Sequence, residues 1–218
     1  MENVRNYAKE LEKLIAAKDR KWNKLLLHSC CAPCSSYVLE YLREYFDITV
    51  FYYNPNITED VEYQKRVEEQ KRLIETYNEQ IEKQDFPGMR STRKAKKIEV
   101  IDGDYEPENF YRMAKGLEQC PEGGERCFGC YELRLRKTAE LAVAEKFDCF
   151  TTTLTISPLK NARKLNEIGE RLGKEYGVFF LPSDFKKKEG YKRSIELSAQ
   201  FGLYRQNYCG CVYSKNGK

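Results

Sequence analysis

Two hydrophobic periods alternate along this chain. Short apolar runs bounded by turn residues recur at 24–28 (KLLLH), 48–53, 97–101, 149–154 and 178–181, each of strand length. Between them lie longer segments with helical spacing. These are 35–45 through Val38, Leu39 and Leu42; 59–78 with Val61, Val67, Ile74 and Tyr77 on one side; and 107–117 with Pro107 near its first turn. Further on come 127–146 with Leu133, Leu141 and Val143 as core candidates, then 161–176 and 191–201. Another helix is expected at about 2–20, and a cysteine-containing tail at about 203–218. Strands alternating with helices predict an α/β fold: a five-stranded parallel sheet with helices on both faces, in a single domain spanning 1–218. In such a sheet the ligand site lies outside the carboxyl ends of the strands.

No apolar run is long enough to cross a bilayer, and the first twenty residues lack the continuous apolar core of a secretory signal. A cytoplasmic location with no membrane partner is expected. Nine cysteines in 218 residues are many for a reducing compartment, which points to metal ligands or redox thiols rather than structural disulfides.

Their placement is informative. Cys30, Cys31 and Cys34 (H-S-C-C-A-P-C) follow the first strand and open a helix. Cys127 and Cys130 (R-C-F-G-C-Y) open another, where the helix dipole and neighbouring Arg126 would favour thiolate. Cys209 and Cys211 (Y-C-G-C) lie beyond the last helix, with Gly210 permitting a tight turn. C-x-x-C spacing lets two thiolates converge on one metal or cluster. A zinc ribbon needs its second pair within about 15–20 residues, and zinc deamination needs an H-x-E that the lone histidine, His28, does not begin. A thioredoxin-like dithiol at Cys31 and Cys34 remains open, but it leaves five of the grouped thiols without a role. A zinc-binding RNA-interaction module is a third reading. Cys149 reads as a small core residue, Cys120 as a loop residue without chemistry, and His28 as a hydrogen-bonded support for the cysteine loop.

Net charge is only +4, but the cations cluster. Arg90, Arg93, Lys94, Lys96 and Lys97 form one group within the stretch 84–97, and Lys186, Lys187, Lys188, Lys192 and Arg193 form a second. Both are candidates for phosphate contact or for plain solvated surface.

The runs His28-Ser29-Cys30-Cys31-Ala32-Pro33-Cys34, Tyr53-Asn54-Pro55-Asn56-Ile57, Arg126-Cys127-Phe128-Gly129-Cys130-Tyr131, T-T-T-L-T-I-S-P at 151–158 and Tyr204-Arg205-Gln206-Asn207-Tyr208-Cys209-Gly210-Cys211 resemble the QueH family of cobalamin-independent epoxyqueuosine reductases, in the same order. The resemblance implies a HUP-like fold, a [4Fe-4S] cluster with an additional mononuclear iron, and reduction of the epoxide of epoxyqueuosine in a tRNA anticodon loop, the last step of queuosine biosynthesis. A low-potential donor such as ferredoxin or flavodoxin would supply the electrons. All seven grouped cysteines are then candidate ligands of the cluster and iron. Asp184, after the fifth strand, and Asp104, after the third, are candidates for proton donor or ligand, and equally for helix cap or turn residue.

Tyr53, Tyr131 and Tyr208, with Tyr105 and Tyr204, are candidate rings for unstacked bases. Asn54 and Asn56 are candidate substrate contacts, with Arg205 and the 186–188 lysines as candidate phosphate contacts. Two departures stand out. Thr58-Glu59 replaces the family's common His-Pro after Asn-Pro-Asn-Ile, and the stretch 84–97 is longer than the usual connection. The S-G-G-x-D-S phosphate loop of related adenylating sheets is replaced by S-C-C-A-P-C, so ATP activation is not expected.

Overall fold

The computed structural model describes residues 5–17, 21–90 and 94–215. Residues 2–4 and 18–20 of the expected first helix, Arg93 of the basic stretch and 216–218 of the tail lie outside the described residues.

Five strands form one parallel sheet: β1 (Lys24–His28), β2 (Asp47–Tyr52), β3 (Ile98–Asp102), β4 (Cys149–Thr152) and β5 (Phe179–Phe180), in the order β3-β2-β1-β4-β5. Among the described residues eight α-helices accompany them: α1 (Tyr7–Ala16), α2 (Ala32–Leu42), α3 (Asp60–Lys83), α4 (Pro107–Ala114), α5 (Glu125–Ala144), α6 (Ala162–Tyr176), α7 (Gly190–Gln200) and the short α8 (Val212–Lys215). The fold class expected from the alternation is the one observed.

Alternate residues of β1 feed two cores. Leu25 and Leu27 pack with α1, α2 and α3, whereas Leu26 packs with Leu135 and Ala139 of α5 and Leu165 and Leu172 of α6. From β1 the sheet grows outward in both directions, to β2 on one side and β4 on the other. The crevice between the carboxyl ends of β1 and β4 is therefore the switch point of the topology.

The helices depart from the sequence reading in instructive ways. Along α3, Val61 is 82% exposed, and the buried face is Tyr63, Arg66, Gln70, Leu73, Ile74, Tyr77 and Gln80. Polar residues occupy core positions here, so an apolar stripe alone misplaces the face. On α5 the buried stripe runs through Tyr131, Leu135, Ala139 and Ala142, leaving Val143 exposed and Leu133 and Leu141 only half-buried. β4 ends two residues early because Thr152 caps a 3-10 turn, Thr153–Ile156, accepting the Leu154 N–H at 3.1 Å.

The basic groups are largely neutralised. Arg193 is buried, donating to Glu40 of α2 at 2.6 and 2.9 Å and to the Gly88 carbonyl at 2.6 Å. Lys96 pairs with Asp47, Lys97 with Glu82, Lys186 with Asp184, Lys188 with Glu12 and Lys192 with Glu189. Glu40 also accepts the Arg90 N–H at 2.8 Å, so this one carboxylate fastens the 84–97 connection to α2 and α7. Removing one partner of a buried ion pair strands the other charge, at about 3–5 kcal/mol. Glu40→Ala is expected to lose stability of that order in urea unfolding, with Glu40→Ala/Arg193→Met losing less than Glu40→Ala alone.

Candidate metal centre

The first thiol loop leaves β1 and enters α2, whose N-cap residue is Cys31 and whose first turn contains Pro33. The Sγ atoms of Cys30, Cys31 and Cys34 all lie within 4.8 Å of one another, and among the described residues this is the one such group of cysteine, histidine or acidic side chains. Cys30 is fixed from β4: the Thr153 hydroxyl accepts the Cys30 N–H at 3.2 Å and donates to Cys30 Sγ at 3.5 Å. His28, fully buried below the loop, bonds Thr152 Oγ1 at 2.9 Å and the Tyr53 carbonyl at 3.1 Å. Burial and the charge of Arg134, whose Nε donates toward His28 Nε2 at 3.4 Å, drive its pKa down to about 3, so it stays neutral.

The other four grouped thiols line a narrow neighbouring cavity of about 30 Å³. Cys127 and Cys130 sit in the first turns of α5, and Cys127 Sγ accepts the Gly123 N–H at 3.2 Å. Arg126 does not serve as the expected thiolate partner. Its guanidinium donates to the carbonyls of Leu117, Glu118 and Cys120 and lies over the Tyr213 ring, holding the preceding loop. Cys209 and Cys211 are brought in by Gly210 at φ +98°, where a Cβ would meet Ile57 at 2.7 Å and Arg66 at 3.1 Å. The Cys209 carbonyl accepts from Asn56 at 3.1 Å and from Arg66 at 3.3 Å.

A second cavity, of about 150 Å³, opens beside the first and is lined by both Cys34 and Cys209. Lys160 lines the two cavities alike, half-buried and in no ion pair among the described residues. Burial opposes its charge, but the field of Cys209, Cys30, Tyr131 and Cys34 outweighs that and raises its pKa. Arg134, 2% exposed, points Nη1 at Cys130 Sγ (3.7 Å) and leaves Nη2 without a partner. Two cations that face thiols and lack carboxylates suit a bound group of net negative charge, the character of an iron–sulfur cluster with thiolate ligands. Neither cation was singled out by the sequence reading. Arg134 follows Cys130 by one helical turn, and Lys160 follows the T-T-T-L-T-I-S-P run, which are the only signals the chain offered.

Other predicted residues are distributed as follows. Cys149 is a buried strand residue and Cys120 a half-buried loop residue, as expected. Asn54, buried, donates to the Ser29 carbonyl at 2.8 Å, and its Oδ1, like that of Asn56, has no partner. Tyr131 lines the four-thiol cavity, while Tyr208 and Arg205 line the wider one. Tyr53 is buried, its hydroxyl donating to Glu106 at 3.1 Å, so its ring is closed to a base. Tyr105 stacks on Tyr63, and Tyr204 carries Lys65 on its face. Asp184 is tied to Lys186 and lines a different cavity, of about 370 Å³, beside α1 and α2; Asp104 is exposed beyond β3. The structure does not bring either carboxylate to the thiols. Leu159 and Tyr191 line the wider cavity, and both are exposed.

A five-stranded parallel sheet whose switch point carries thiols from three loops, flanked by unpaired cations, defines a protein that can take a metal at Cys30, Cys31 and Cys34. A family model described as epoxyqueuosine reductase QueH matches residues 25–217. Proteins of that name from Staphylococcus epidermidis and Staphylococcus aureus are 42% and 43% identical to this chain, each over 96% of it and over 84% and 83% of their own lengths. One from Thermotoga maritima is 33% identical over 87% of this chain and 89% of its own length. The chain belongs to the QueH family.

The thiols of the first loop share protons. S–H donation from Cys31 and Cys34 holds Cys30 well below the usual thiol range; the same bond pushes Cys31 up to about 12 and carries Cys34 upward. A metal ligated by all three must displace the protons of Cys31 and Cys34. Since both are protonated near neutrality, affinity is expected to rise with pH between 6 and 8 and to fall as the solution is acidified. Anaerobic cobalt(II) titration of reduced, metal-free protein in weak buffer checks this, by proton release and by the thiolate charge-transfer band.

Proposed function

We propose that this chain is an epoxyqueuosine reductase acting on tRNA in the cytoplasm, with Cys30, Cys31, Cys34, Cys127, Cys130, Cys209 and Cys211 as the ligand set for a [4Fe-4S] cluster and an additional iron. One cluster needs four thiolates, so seven leave three for the second metal. Such a group, when bound, supplies electrons one at a time together with a Lewis-acidic position. The reading is supported by the close group of Cys30, Cys31 and Cys34 and by the neighbouring cavity that Cys127, Cys130, Cys209 and Cys211 line together with Arg134 and Lys160, in a chain of the QueH family.

The reaction takes up two electrons and two protons: both C–O bonds of the epoxide break, an alkene forms, and the oxygen leaves as water. A low-potential carrier of the ferredoxin or flavodoxin class is the source of electrons. Lys160 holds a proton at Nζ on the wall shared by the two cavities, facing Cys34 and Cys209 through the wider one, and delivers it to the departing oxygen. Asp184 and Asp104 have no part in this step. The anticodon loop lies across the mouth of the wider cavity, where exposed Leu159 and Tyr191 offer apolar and stacking contact and Arg205 reaches phosphate. Buried Arg134 balances the charge of the bound group.

Anaerobically prepared protein is expected to contain iron in excess of its labile sulfide and to convert epoxyqueuosine-containing tRNA under a low-potential reductant. Zinc without labile sulfide, or no conversion, overturns the reading. Lys160→Met is expected to lower turnover by about 10²–10⁴-fold with iron content unchanged, the range for loss of a positioned proton donor.

A further inference from the structure

The face of α3 that packs toward the thiol loops carries polar side chains in core positions, and two of them address different loops. Gln70, 1% exposed, accepts the Ser29 hydroxyl at 2.7 Å and the Ser35 hydroxyl at 2.8 Å through one amide oxygen. Those serines bracket Cys30, Cys31 and Cys34, one at the exit of β1 and the other inside the first turns of α2. Its Nε2 is buried without a partner, so the amide is held in place by its oxygen alone. Arg66, one helical turn earlier and 2% exposed, donates through Nη1 to the Cys209 carbonyl and is itself fixed by Glu62 at 2.7 Å.

We infer that Gln70 and Arg66 are positioning residues that use α3 as a ruler between two thiol loops, Gln70 setting the convergence of Cys30, Cys31 and Cys34 and Arg66 the approach of Cys209. Four residues of α-helix separate the two anchors by about 6 Å along the axis. A helix backbone is far stiffer than the loops it grips, so the relative height of the two loops is set by α3, which contributes no sulfur. Gln70 acts through hydroxyls on the loop's own backbone, as outer partners orient metal ligands elsewhere. The inference rests on the metal reading of the thiols and is independent of which substrate is reduced.

Anaerobic cobalt(II) titration of reduced, metal-free, full-length protein tests it, read by the thiolate charge-transfer band and by dissociation constant. Gln70→Leu is expected to weaken binding by about 10- to 100-fold and to shift the band. Gln70→Glu, which keeps an oxygen acceptor for both hydroxyls, is expected to remain within a few-fold of the parent. Should Gln70→Leu fail to fold, Ser29→Ala/Ser35→Ala removes the same bonds from the loop side and carries the same expected loss. Parent-like affinity and spectrum in Gln70→Leu or in the double serine variant overturn the proposal, as does equal loss in Gln70→Glu and Gln70→Leu. A parent protein that binds cobalt(II) as described but converts no tRNA would overturn the proposed function and leave this inference standing.

Discussion

Bringing thiols from distant segments of the chain into neighbouring sites is opposed by their own charge once they ionise, and the fold answers by placing cations against them. Arg134 is the clearest case. A guanidinium at 2% exposure with no carboxylate partner among the described residues is an expensive thing to keep. It is tolerable only where the sulfur side supplies the compensating negative charge. Lys160, half-buried and in no ion pair among the described residues, lines the same cavity. Burial, with the charge of Arg134 beside it, also keeps His28 neutral.

The scaffold makes the balance possible by keeping the rest of the site's polar groups neutral or occupied. His28 is held uncharged between Thr152 and Tyr53. Arg126, next to Cys127 in sequence, is spent on backbone carbonyls, so adjacency along the chain does not translate into adjacency of charge. Of the carboxylates singled out in the sequence, Asp184 pairs with Lys186 beside a different cavity and Asp104 is exposed beyond β3. Arg134 and Lys160 line the thiol cavity as cations, with Glu122 at its edge.

Much of this was legible in the sequence. Strand runs such as KLLLH at 24–28 match the observed bounds because β1 is buried on both faces and its apolar run is unbroken. Cys30, Cys31 and Cys34 open α2 directly beyond β1, and Cys127 and Cys130 open α5, as the spacing indicated. The misreadings share one cause: they concern side chains whose burial is dictated by partners far away in sequence. Arg66 and Gln70 look like surface residues on a charged helix until the loops they hold are known. Val61 and Val143 look like core residues and are exposed. Arg193 looks like part of a phosphate patch and is sealed against Glu40. Local pattern cannot report these, since the deciding contact spans from more than forty to more than one hundred and fifty residues.

The turn at Gly210, wedged between Ile57 and Arg66, also sets a timetable. A chain is synthesised and compacts from its N-terminus onward. Here the sheet, the first thiol loop and the α5 thiols can all be in place while Cys209 and Cys211 are still unmade. Throughout that interval the nascent protein carries five of its seven grouped thiols. The final turn then brings Cys209 and Cys211 beside the earlier thiols by a contact only a glycine can make, so the last of the seven grouped thiols to be made is also the one seated by the tightest turn.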